Sequence, residues 1–343
     1  MALLERYGWD EEFQKHFSET AGEGREPGRI IVEHKGAYEL ITEAGPLSGE
    51  VSGRFRHEAF GIGSFPAAGD WVAVETRPEE GRATIHGVLP RRSRFSRKIA
   101  GALTQEQVVA ANFDHIFIIL SLNWDFNIHR LERYLTMAWE SGALPVIILN
   151  KLDLCEDAAE KTGMVESVAF GVPVHAVSAV TGEGMEEVGK YLKPGKTAVF
   201  LGSSGVGKST LVNRLAGSEI MDVNGIREDD SKGRHTTTHR QLVLLPAGGV
   251  VIDTPGMREL QLWDAGEGLT GAFEDIADLA AGCRFRDCRH ESEPGCAVKE
   301  AIREGLLPAD RLESFRKLQK ELLFLEQKQN QALRLAEKRN ARH

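Results

Sequence analysis

The nine residues "GSSGVGKST", Gly202 to Thr210, constrain this chain more than any other stretch. Gly202, Gly207, Lys208 and Ser209 satisfy G-x-x-x-x-G-K-[ST] at every position. An apolar run, "TAVFL", leads into the loop, and "STLVNRLAG" leaves it with a helical pattern. Strand, loop and helix in that order are the context the motif requires. Glycines let the backbone curl until successive N–H groups face one anion, and the following helix adds its positive end. The expected phosphate cradle comprises Gly202, Ser203, Ser204, Gly205, Val206, Gly207, Lys208, Ser209 and Thr210. Lys208 should reach the β- and γ-phosphates, and Ser209 should bind Mg²⁺. Such a cradle lies at the carboxyl edge of a mostly parallel sheet, so it demands an α/β domain around itself.

A second motif precedes it. "VIILNKLDL", Val146 to Leu154, reads as a buried strand followed by N-K-x-D, that is Asn150, Lys151, Leu152 and Asp153. The Asp153 carboxylate can accept from guanine N1–H and the exocyclic amine, and adenine has no matching donors. Asn150 can brace the loop and reach the base edge, while the Lys151 stem can lie over the ring. "VSAVTGEG" (177–184) ends another strand, which places Ser178 and Ala179 where the Ala179 N–H can meet guanine O6. Downstream, "VVIDTPG" (250–256) ends a strand at Asp253, a candidate for holding Mg²⁺ directly or through water. The Gly256 N–H can sense the γ-phosphate. Between them, "GRHTTTH" (233–239) offers Mg²⁺ a second hydroxyl from Thr236, Thr237 or Thr238, and spacing does not choose among the three. The usual order in guanine-nucleotide proteins puts the phosphate loop first. Here N-K-x-D comes first, which is a circular permutation. A sheet keeps its carboxyl edge wherever the chain is cut, so the pocket survives.

At 343 residues the chain has room for two or three domains. Before the α/β region, about five short strands punctuated by turns ("RIIVEHKG" to "ATIHGVLPR") predict a small antiparallel barrel, best matched by the five-stranded OB-fold. After it, Cys283, Cys288, His290 and Cys296 give C-x4-C-x-H-x5-C, a ligand set suited to one closed, structural zinc. The expected domains are a polar, partly helical tail over 1–24, an OB barrel over 25–96, a permuted GTPase over 106–264, and a zinc-binding and helical module over 273–343. The last ends in a helix with Leu312, Phe315, Leu318, Leu322 and Leu325 on one stripe, which should pack on the chain's own core.

Net charge is -9, which by itself speaks against a nucleic-acid partner. Local charge differs. "PRRSRFSRKI" (90–99) carries Arg91, Arg92, Arg94, Arg97 and Lys98 with no acid, and from Arg311 onward nine Lys/Arg against four Glu leave +5. Such patches can steer a polyanion. The apolar runs are too short to span a membrane and the first residues lack the pattern of a signal peptide, so a cytoplasmic chain without a membrane partner is expected. It is also expected to be monomeric.

Barrel, permuted GTPase motifs and C-x4-C-x-H-x5-C module, in that order, resemble the small ribosomal subunit biogenesis GTPases of the RsgA/YjeQ type. The likeness covers nearly the whole chain from about Gly28. It implies a GTP hydrolase that binds the 30S subunit late in assembly and is stimulated by it, with barrel and zinc module contacting 16S rRNA. GTP and GDP would be its nucleotides, with Mg²⁺ and one Zn²⁺. Many GTPases orient water with a glutamine after D-x-x-G, but here that residue is Met257. The resemblance points instead to a histidine before the threonines, His235, although His239 lies close by. Two alternatives remain open: a nucleotide-gated RNA-binding switch with negligible catalysis, and a permuted GTPase acting on another ribosomal assembly intermediate.

Overall fold

Alternating apolar residues build the first five strands, and the barrel follows from where those residues point. In the computed structural model, which describes residues 2–34, 36–59, 61–99, 105–123, 125–219, 241–253 and 266–340, helices α1 (Leu3–Arg6) and α2 (Glu11–Thr20) precede β1 (Glu26–Glu33), β2 (Tyr38–Thr42) and β3 (Gly45–Val51). A short helix α3 (Gly53–Glu58) leads to β4 (Trp71–Arg77) and β5 (Arg82–Val88). Pairing runs β1-β2-β3-β5-β4, and β1 also pairs β4, which closes the barrel. All these pairs are antiparallel except β3–β5. Ile30, Leu40, Leu47, Val72, Val74 and Ile85 fill the interior.

Residues 2–20, within the segment 1–24 expected to be a tail, fold against the barrel. Asp10 caps α2 by accepting the Glu12 and Phe13 N–H groups, each at 3.1 Å. Leu4 and Phe13 are buried in a cluster with Ile41, Trp71 and Leu89. Trp9 packs edge-on to Trp71 with ring centroids 4.8 Å apart.

The basic stretch is also largely structural. Its carboxyl half forms β6 (Arg94–Ile99), a hairpin with β7 (Gln105–Ala111). Arg91 grips the buried Asp70 with two bonds of 2.8 and 2.7 Å and donates to the Gly63 and Phe65 carbonyls. Arg92 lies 3.8 Å over the Phe13 ring and pairs with Asp10 and Glu12. Both guanidinium groups are thus committed within the fold.

The central sheet is assembled from apolar runs long enough to be buried on both faces. Strands β8 (His115–Ser121), β9 (Leu144–Asn150), β10 (Val174–Ala176), β11 (Thr197–Leu201), β12 (Gln241–Leu244) and β13 (Val250–Asp253) align as β10-β9-β8-β11-β13-β12. All neighbours are parallel except β12, which runs against β13. Helices α4 (Ile128–Glu140), α5 (Ala158–Glu166), α6 (Met185–Gly189) and α7 (Lys208–Ala216) connect them. Leu131, Leu135 and Ala138 of α4 are buried at the predicted spacing. Val32 of β1 pairs with Gln241 of β12, so barrel and central sheet form one continuous sheet. Behind that seam lies Arg29, 1% exposed, donating to the carbonyls of Tyr7, Gly69 and Asn112 and to Thr197 Oγ1. Burial pushes its pKa down to about 10 against the opposing pull of Asp114 and Asp70.

Helices α8 (Gly266–Ala272), α9 (Glu274–Ala281), α10 (Ala297–Arg303) and α11 (Ala309–Asn340) complete the chain. A Cβ on Gly268 would stand 2.3 Å from the Thr136 carbonyl, so only glycine lets α8 approach α4 this closely. Leu312 and Leu318 of α11 are buried, and Phe315, Leu322 and Leu325 pack against the same core. The apolar stripe therefore finds its partner within the chain. Among the described residues no helix is long and apolar enough to cross a membrane.

One buried ion pair fastens α11 to α4. Glu132 is 1% exposed and accepts from Arg311 at 2.8 Å and from the Ser314 hydroxyl. Arg311 also holds Asp275 at 2.8 and 3.0 Å. Removing only the cation leaves a buried carboxylate without its charge partner, with the Ser314 hydroxyl and the His129 ring still beside it. Arg311→Met is expected to destabilise the protein by about 3–5 kcal/mol. Denaturant unfolding of the variant checks this, and a loss under about 1 kcal/mol would show that the pair is dispensable.

Candidate nucleotide and metal sites

The carboxyl edge of the central sheet brings the predicted loops together. Loops leave β8, β9, β10, β11 and β13 at this edge, so motifs scattered along the sequence become neighbours in space. The connection runs through Asn150, the last residue of β9 and 2% exposed. Its Nδ2 donates to the Val206 carbonyl in the phosphate loop at 2.8 Å. Its Oδ1 accepts the Ala179 N–H at 3.1 Å. One side chain therefore ties the N-K-x-D loop to both of the others. Losing it would strand a buried donor and a buried acceptor, at about 1–3 kcal/mol each.

Lys151 follows with φ 68°, in the left-handed region, and turns the chain into a short 3-10 turn over Leu152–Leu154. Leu152 N–H donates to the Val177 carbonyl. Asp153 is exposed, and one carboxylate oxygen accepts from the buried Ser178 hydroxyl at 2.6 Å. Ser178 thus aims the acid. The Ala179 N–H, which the sequence offered to guanine O6, here donates to Asn150 Oδ1.

In the phosphate loop, Gly205 and Gly207 have φ 77° and 95°. These glycines supply the positive φ values that the curl requires. Lys208 Nζ donates to the carbonyls of Gly202 and Ser203, both at 2.7 Å. Ser204 and Gly205 are exposed at the tip, and Ser209 and Thr210 are half-buried in the first turn of α7. Asp253 ends β13 beside β11, where the sequence placed it. His235, Thr236, Thr237, Thr238 and Gly256 lie outside the described residues.

Two charged residues at this edge went unread in the sequence. Asp125 Oδ2 accepts from Ser203 Oγ at 2.7 Å and from Arg130 Nη1 at 2.7 Å. Arg130 Nη1 also donates to Ser203 Oγ at 2.9 Å. Burial raises the Asp125 pKa, but the hydrogen bonds from Arg130 and Ser203 and the charges of Arg130 and Lys151 outweigh it, and the net shift is downward. "SLNWDFN" directly follows the apolar run of β8, and position after a strand was the signal available.

The cysteine and histidine residues converge as the spacing foretold. The ligand atoms of Cys283, Cys288, His290 and Cys296 all lie within 4.8 Å of one another. Cys283 Sγ and Cys296 Sγ are 3.9 Å apart, and His290 Nδ1 stands 3.6 and 3.3 Å from them. Two thiolates bound tetrahedrally at about 2.3 Å from zinc would be about 3.8 Å apart. The donor set and its spacing fit one metal ion with no open position. Burial and then the Arg316 charge lower the His290 pKa, which favours the neutral ring a metal ligand needs. The Arg316 guanidinium also donates to the His290 carbonyl and so joins the cluster to α11.

Known proteins match this arrangement. The sequence model of the RsgA GTPase family matches residues 88–263. A relative from Lactiplantibacillus plantarum, named small ribosomal subunit biogenesis GTPase RsgA 2, is 50% identical over 89% of this chain and 86% of its own. A Methanosarcina acetivorans protein, named small ribosomal subunit biogenesis GTPase RsgA, is 45% identical over 98% of this chain and 89% of its own. The crystal structure of YjeQ from Thermotoga maritima superposes with a TM-score of 0.67 at 30% identity, covering 87% of this chain and 99% of that one. YloQ, described as a circularly permuted GTPase, gives a TM-score of 0.62 at 24% identity, covering 88% and 96%, and so supports the fold.

A Cβ on Gly207 would stand 2.4 Å from Asn150 Nδ2. Gly207→Ala is therefore expected to push Asn150 out of its bonds and to weaken guanine-nucleotide binding by at least about tenfold, or roughly 1.4 kcal/mol. Titration with a fluorescent GDP analogue checks this. Unchanged affinity would show that the Asn150 tie is not needed to shape the loop.

Proposed function

The chain belongs to the RsgA family of GTPases, and on that premise we propose that it binds the small (30S) ribosomal subunit through 16S rRNA and hydrolyses GTP there late in assembly, with the subunit accelerating turnover. The observation that carries this reading is the extent of the likeness. Identity of 45% runs over 335 residues, 98% of the chain, and so includes the barrel, the permuted GTPase sheet and the Cys/His cluster together. The relative is named for small-subunit biogenesis.

At the nucleotide site, Asp153 would read guanine N1–H and the exocyclic amine, and Asn150 with Ser178 would hold it in place. Lys208 would leave the Gly202 and Ser203 carbonyls for the β- and γ-phosphates. Ser209 and one threonine among Thr236, Thr237 and Thr238 would hold Mg²⁺, with Asp253 nearby and the Gly256 N–H on the γ-phosphate. Met257 cannot orient water, so intrinsic hydrolysis should be slow. His235 is the residue proposed to position the nucleophile when the ribosomal subunit is bound. Cys283, Cys288, His290 and Cys296 would bind one structural Zn²⁺. With Arg91 and Arg92 committed to Asp70 and Asp10, RNA contact by the basic stretch would fall to its remaining cations. The protein would act as a monomer in the cytoplasm, with no membrane partner.

Hydrolysis of GTP by the purified protein, alone and with 30S or 50S subunits added, tests the central claim. Stimulation of about 10³-fold or more by 30S alone is expected, on the scale by which a partner completes other GTPase sites. Equal stimulation by 50S would move the reading to another assembly intermediate. No stimulation by either would leave a nucleotide-gated RNA-binding switch. Metal analysis of the same preparation should give one zinc per chain, and a strong chelator should lower the melting temperature because ligation contributes to folding. A metal-free preparation with unchanged melting would remove the zinc assignment.

A further inference from the structure

Helix α4 stands between the phosphate loop and the C-terminal module, and its first turns touch both. At the loop end, Asp125, Arg130 and Ser203 close a triangle of three hydrogen bonds, 2.7, 2.7 and 2.9 Å long. The approach to α4 is itself braced. Asn123 Oδ1 accepts the Asp125 N–H at 3.1 Å, and Asn127 caps the helix by accepting the Arg130 N–H at 2.9 Å. Two and three residues further on, Glu132 holds Arg311 and Ser314 of α11, and Arg133 holds Glu321 with bonds of 2.9 and 2.6 Å. A helix is stiff over so short a span, so the place of Arg130 is tied to the seating of α11.

We infer that Asp125 and Arg130 are positioning residues that shape the phosphate loop through Ser203, and that the C-terminal helix fixes their placement through Glu132 and Arg133. This inference rests on the nucleotide-site reading above. Ser203 is held from two sides. Its carbonyl accepts from Lys208, and its hydroxyl is held by the triangle. When Lys208 turns toward phosphates, the carbonyl side is released and the triangle remains to hold that half of the loop. Electrostatics sharpen the argument. The Asp125 carboxylate lies one hydrogen bond from a loop that must receive several negative charges. Arg130 neutralises it. Without Arg130 the acid opposes the ligand directly. By linkage, a ligand that tightens the loop also tightens the seat of α11, and displacing α11 loosens the loop by the same factor.

The test measures affinity and dissociation rate of a fluorescent GDP analogue on the full-length protein, with melting temperature as the control for folding. Arg130→Met is expected to weaken binding by about tenfold while the melting temperature moves little, because the group is partly exposed. Adding Asp125→Asn to that variant should recover most of the loss by removing the opposing charge. A merely structural role would make the second substitution neutral or worse. At the far end, Arg133→Glu should weaken binding about threefold, and adding Glu321→Arg should restore it by recreating the pair in reverse. Arg130→Met binding like the wild type would overturn the positioning role. Arg133→Glu leaving affinity unchanged would overturn its dependence on the C-terminal helix. Failure of the wild-type protein to bind the analogue would instead overturn the nucleotide-site reading beneath both.

Discussion

Asn150 is the side chain on which the nucleotide edge depends. Loops at the end of a parallel sheet share an edge but not a shape, and each has its own freedom. The Asn150 amide can donate and accept at once, so it fixes the N-K-x-D loop to the Val206 carbonyl and to the Ala179 N–H in one geometry. Gly207 is glycine because that amide passes where a Cβ would be. Ser178 then aims Asp153 from the loop that Asn150 has anchored. Preorganised this way, the Asp153 carboxylate and the Gly202–Ser209 loop keep a fixed separation, and a ligand that bridged them would not have to order them first.

The features legible in the sequence are those with a local cause. Apolar alternation from Arg29 to Val88 announced a barrel, because a strand's two faces show in its own residues. Gly202 to Ser209 and Asn150 to Asp153 were legible because ligand chemistry dictates residue type at fixed spacing. The Cys/His ligands converged for the same reason. What stayed hidden depends on distant partners. Arg91 and Arg92 read as a basic patch, yet the acids that take them are Asp70, 21 residues back, and Asp10, 82 residues back. Residues 1–24 read as a tail because the partner of Trp9 and Phe13, Trp71, lies far along the chain in the barrel. Asp125 and Arg130 lacked a signature, since a hydrogen bond to Ser203 across 78 and 73 residues leaves no periodicity.

Charges mark the joints between the parts of this molecule. Arg29 lies where the N-terminal segment, the barrel and the start of β11 meet, bonded to three carbonyls and a hydroxyl instead of an acid. Carbonyl dipoles satisfy its donors, and Asp114 and Asp70 keep the charged form favoured at neutral pH. The Glu132–Arg311 pair does the corresponding work between α4 and α11. Apolar faces would bury as much surface, but they tolerate sliding. A guanidinium with fixed bond directions does not, so each joint specifies one register at the expense of desolvation.

The permutation gives those joints their meaning. In this chain the barrel enters the sheet beside β12, the strand that follows the threonine run, and the C-terminal module continues from the segment after Asp253. Both flanking parts are therefore bonded to elements that border the nucleotide loops. With the phosphate loop first, the barrel would precede β11 in the chain and the C-terminal module would follow β10. Cutting the chain between β13 and β8 instead places one flanking domain on each side of the sheet edge, with β1 against β12 and α11 against α4. Neither can shift far without moving a strand or helix that borders the carboxyl edge of the sheet. The reversed motif order thus leaves the pocket unchanged and alters what the pocket is mechanically connected to.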